Sequence, residues 1–128
     1  MKSINEIISA IETIPSRSAW DKGVKLYALD LADNLSELIS GNWVDPESIT
    51  DRDDLRSICL NGASSWKQFS WGASSLVYDF DIAERLCTPS ELKRKKGGDL
   101  RPNAQEEWLD VQARALYQAF NLICYVAF

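Results

Sequence analysis

Histidine is absent from all 128 residues of this chain. That removes the usual base of Ser-His and Cys-His nucleophilic dyads, and with it the commonest zinc ligand. Cysteine is scarce: Cys59, Cys87 and Cys124 stand far apart, with no C-x-x-C pair. Neither a disulfide framework nor a zinc site is signalled, and the three read as small, reduced core residues. Gly97-Gly98 follows a helical pattern instead of a strand, and no G-x-x-x-x-G-K-[ST] or G-x-G-x-x-G occurs, so no phosphate loop is present. Long apolar runs are missing too, and no stretch approaches the roughly 18 residues of a membrane span. The opening MKSINEIISAIETI places Glu6 and Glu12 among its apolar positions, unlike the uninterrupted core of about 7 to 15 residues in a signal peptide. A cytoplasmic protein without membrane association is expected.

What remains is helical. Ile4, Ile7, Ile8, Ile11 and Ile14 recur at helix spacing after Ser3, with Glu6 three residues on and Pro15 as the stop. Trp20, Val24, Tyr27, Ala28, Leu31, Leu35 and Leu38 continue the pattern after Ser18, and Gly41 is the expected left-handed residue past the helix end. Thr50 with Asp53 predicts the start of a third helix, with Leu55, Ile58 and Cys59 inward and Asn61-Gly62 closing it. One or two helices are expected from Ser64 onward, then a short one opened by Thr88-Pro89 and ended by Gly97-Gly98. A last helix, capped by Asn103, is lined by Trp108, Val111, Ala115, Ala119, Leu122 and Ile123. With 45% hydrophobic residues, five of them Trp, the chain can build one core. The expected fold class is all-α: a compact bundle of five to six helices in a single domain over residues 1–128.

Charge is unevenly spread. The net charge is −5, yet Asp30, Asp33, Glu37, Asp45, Glu47, Asp51, Asp53 and Asp54 face one base, Arg52, in the stretch they share. Residues 63–128 balance eight bases with eight acids, so the negative charge is local. Such a surface repels nucleic acid, whose sequence-independent binding needs Lys and Arg, and attracts basic surfaces. Trp43, on the turn beside Asp45 and Glu47, is the Trp expected to be exposed, a suitable anchor for a partner. Macrodipole compensation is the plain explanation for Asp51, Asp53 and Asp54 at a helix start. The run Lys93 to Lys96 complements a helix C-terminus in the same way.

A second constellation, Tyr78, Asp79, Asp81, Glu84 and Arg85, has carboxylates close enough on a helix to hold Mg²⁺ or share a proton. The plainer explanation is an Arg85 ion pair that orients two helices. A metal-assisted enzyme using Asp79, Asp81 and Glu84 is therefore the third expectation, behind two non-enzymatic ones, and no metal or cofactor is expected.

The segments SWG (70–72), YDFDIAERLC (78–87), PSELK (89–93) and EEWLDVQARAL (106–116) resemble a family of small proteins carried by phages, plasmids and conjugative elements of Firmicutes. The resemblance covers about the last half of the chain and brings no catalytic residue set. It implies a setting in which small accessory proteins antagonise host defence and acidic ones imitate DNA. The leading expectation is a non-enzymatic inhibitor, anti-CRISPR or anti-restriction. Its eight carboxylates and Trp43 would engage a protein partner with a basic nucleic-acid-binding groove, since CRISPR effectors hold nucleic acid in a positive channel. The alternative is a structural or regulatory helical interaction module of a mobile element, possibly homodimeric.

Overall fold

A computed structural model describes the backbone of residues 1–72 and 104–128, and the side chains of residues 1–69 and 110–128. The chain is all-α: five α-helices and no strand occur among the described residues. Ser3 accepts the Glu6 N–H at 3.3 Å and donates its hydroxyl to the Glu6 carboxylate, starting α1 (Ile4–Thr13). Ser18 accepts the Asp21 N–H at 3.1 Å and starts α2 (Ala19–Ser40). A 3₁₀ turn (Pro46–Ser48) precedes α3 (Arg52–Leu60), and Ser65 accepts the Gln68 N–H to open α4 (Trp66–Gly72). The last helix, α5, runs Ala104–Ala127.

Two ends differ from expectation. Gly41 closes α2 at an ordinary φ of −81°, and Asn42, at φ 60°, takes the left-handed position instead. Asparagine tolerates that conformation because its short amide bonds locally. Helix α3 is capped by Asp51, one residue later than predicted, because Asp51 accepts the Asp54 N–H at 2.9 Å. Thr50 instead gives its N–H and hydroxyl to the Asp54 carboxylate, at 2.9 and 2.7 Å. The other end of α3 is as expected, with Asn61 and Gly62 both at positive φ.

Helices α2 and α5 form the central pair, α1 lies against both, α4 packs on α5, and α3 on α2. Their shared core includes Ile7 and Ile11 of α1, Tyr27, Leu31 and Leu35 of α2, Leu55 of α3, and Leu116, Phe120 and Ile123 of α5. Trp66 sits against Phe69 and Phe120, ring centroids 5.6 and 5.4 Å away. Lys25 donates to the carbonyls of Glu12 and Ile14, at 2.7 and 3.0 Å, and so caps the C-terminus of α1 from α2. The indole N–H of half-buried Trp20 reaches Gln118 Oε1 at 2.6 Å. The Lys67–Asp110 ion pair, at 2.9 Å with both partners exposed, contributes at most about 1 kcal/mol.

The Tyr78–Arg85 constellation, Cys87, the helix after Thr88, Lys93–Lys96, Gly97-Gly98 and the Asn103 cap lie outside the described residues, as do the Trp71 and Trp108 side chains. Cys59 and Cys124 are free and buried, consistent with core residues.

Candidate acidic interface

All eight carboxylates of the acidic segment belong to α2, to the turn that follows it, or to the start of α3. Asp33, Glu37, Asp45, Glu47, Asp51 and Asp53 are exposed, while Asp30 and Asp54 are half-buried. No salt bridge among the described residues engages any of them.

Local structure accounts for three. Asp45 accepts the Glu47 N–H at 3.0 Å and caps the 3₁₀ turn, and Asp51 caps α3. Asp54 accepts from Thr50, and those hydrogen bonds hold its carboxyl below the usual range. Macrodipole compensation extends to Asp53, in the first turn of α3.

The same explanation fails on α2. Lys22 and Lys25 lie near its start and Asp33 and Glu37 near its end, and its last turn holds no base. Asp21 in the first turn suits the helix dipole, which favours acids at the N-terminus and bases at the C-terminus, but Glu37 in the last turn opposes it. Asp30, Asp33 and Glu37 also recur at spacings of three and four, where like charges repel by about 0.2–0.5 kcal/mol per pair. Burial first, and the neighbouring Asp33 second, push the Asp30 carboxyl above its ordinary 3.8. Charged Asp30 therefore costs stability once pH rises past 3.8, and the full cost is present above its raised folded value. Asp30→Asn is expected to raise the melting temperature at pH 7 by the equivalent of a few tenths of a kcal/mol. The gain should vanish below pH 3.8, and an equal gain at pH 3 would exclude an electrostatic origin.

Arg52, the lone base of the segment, gives the carboxylates no ion pair. Its guanidinium donates to Asn121 of α5 and stacks over the Phe120 ring at 4.9 Å from the centroid. Nothing in the local sequence signals this, because both partners lie far along the chain.

Trp43 is 81% exposed. Its N–H returns to the Leu38 carbonyl at 2.9 Å, as does that of Val44 at 3.3 Å, which folds the turn back on the end of α2. Of the other Trp side chains described, Trp66 is buried and Trp20 half-buried. The other large exposed aromatics among the described residues are Tyr117, Tyr125 and Phe128, near the C-terminal end of α5.

No protein family, curated protein or solved structure matches this chain. The residues alone carry the functional reading. Among the described residues no group of three or more His, Cys, Asp or Glu side chains could hold a metal ion, although Asp79, Asp81 and Glu84 fall outside that set. No described helix is long and apolar enough to cross a membrane.

Proposed function

We propose that this protein is a non-enzymatic inhibitor that presents carboxylates to a basic nucleic-acid-binding groove, acting in the bacterial cytoplasm against a defence nuclease of the CRISPR or restriction type. The observation that carries the reading is the charge order of α2. Glu37 opposes its helix's dipole from the last turn, and Asp30, Asp33 and Glu37 repel one another with no counterion among the described residues. Stability does not explain residues that cost stability, whereas attraction to a positive surface does. The engagement of Arg52 with α5 supports the same reading, because it leaves the segment's charge without an ion-paired counterion among the described residues.

Competition tests it. The protein should displace DNA from a guide-loaded CRISPR effector or a restriction nuclease, and its affinity should fall about tenfold or more between about 50 and 200 mM salt. Displacement that ignores salt, or none against either nuclease class, rejects the proposal.

A second reading, a helical interaction module of homodimeric kind, is favoured by Tyr117, Tyr125 and Phe128, which leave apolar surface on and just beyond α5. Sedimentation as a monomer at high concentration would remove the homodimer.

A further inference from the structure

Resting on the charge-mimicry reading, the geometry points to the turn around Trp43 as a rigid knob that binds an arginine side chain, and so selects arginine-lined over lysine-lined grooves.

Three features converge there. The ring is 81% exposed, an unusual state for the side chain with the most apolar surface to hide. It is nevertheless held. A Cβ at Gly41 would stand 2.7 Å from Trp43 Cδ1 and 3.0 Å from Nε1, so the pyrrole edge of the indole rests on bare glycine backbone. The backbone beneath is fixed by the Trp43 and Val44 N–H groups on the Leu38 carbonyl, and by the Asn42 N–H on that of Ile39. Asp45 and Glu47 follow two and four residues on, at the 3₁₀ turn, and Asp45 is oriented by the Glu47 N–H.

An exposed indole followed two and four residues on by carboxylates matches the guanidinium group. Guanidinium is planar, weakly hydrated and stacks on aromatic rings, while its N–H fork meets carboxylate oxygens. A lysine ammonium is a strongly hydrated point charge and gains less from the ring. Gly41 is then a positioning residue. Its φ of −81° is open to any residue, so a side chain there acts by pushing the indole away and not by straining the backbone.

The test titrates the full chain with octa-arginine and octa-lysine peptides of equal charge at low salt. Wild type is expected to bind octa-arginine about tenfold more tightly. Trp43→Leu should bring the two affinities together while leaving octa-lysine binding unchanged, and Gly41→Ala should narrow the gap with unaltered helical circular dichroism. Equal affinities in wild type, or a preference that survives Trp43→Leu, overturn the arginine knob and leave the charge-mimicry reading standing. Failure of both peptides to bind overturns the knob together with the reading beneath it.

Discussion

Reversing Asp33, Glu37 and Glu47 to lysine is expected to abolish competition with DNA while leaving the fold as stable as before or more so. Each reversal adds two positive charges, so the chain passes from −5 to +1. The three positions are chosen from the structure. All are exposed, and none of their carboxylates takes part in a hydrogen bond or ion pair among the described residues. Asp45, Asp51 and Asp54 serve as caps or accept from Thr50, so altering them would mix loss of binding with a structural cost of about 1 kcal/mol each. On α2 the effect on stability has the opposite sign. Lysine at 33 and 37 puts positive charge toward the C-terminal end of the dipole, worth about 0.3–1 kcal/mol for a residue in the last turn. A variant that melts no lower than wild type yet no longer displaces DNA would separate the role of these charges from folding. A variant that still displaces DNA at unchanged concentration would end the charge-mimicry proposal.

Phe120→Ala is expected to destabilise the bundle severely. The side chain is fully buried on α5, touches the Trp66 ring and carries the Arg52 guanidinium on its face. Truncating a buried phenylalanine costs about 3–5 kcal/mol, because the lost transfer energy is joined by a cavity that the surroundings only partly fill. Against a total stability of about 5–15 kcal/mol, that should lower the melting temperature by about 10 °C or more. Tyr117→Ala, on the same helix but half exposed, is the control and should stay within about 0.5 kcal/mol. Calorimetry of the two variants checks the pair, and similar melting temperatures would show that Phe120 is not a keystone of the core. Phe120→Ala also removes the platform that draws Arg52 toward α5.

Local rules carried much of the fold. Ser3 with Glu6 and Ser18 with Asp21 mark helix starts through contacts three residues apart, and the isoleucines of α1 place Ile7 and Ile11 in the core by period alone. Structure and expectation part where two local solutions compete. Thr50 and Asp51 can each cap α3, and Gly41 and Asn42 can each adopt a left-handed turn. Backbone geometry, not residue type, decides both cases. Long-range features were illegible. Lys25 capping α1, Gln112 buried within α5 and Arg52 stacked on Phe120 all require knowing which helices meet. For the interface, the sequence shows an excess of acid and suggests an exposed Trp43. The division between carboxylates that cap and carboxylates that only cost needs hydrogen-bond geometry and the direction of α2.

The cysteines of the core supply an internal clock. Burial, and to a lesser degree Cys124, pushes the Cys59 thiol up to about 12, so almost no thiolate exists at neutral pH while the bundle is closed. Alkylation of Cys59 must then wait for α3 to lift from its neighbours, and the modification rate counts those openings. A tightly bound partner that clamps α3 should slow the count, even one never seen directly.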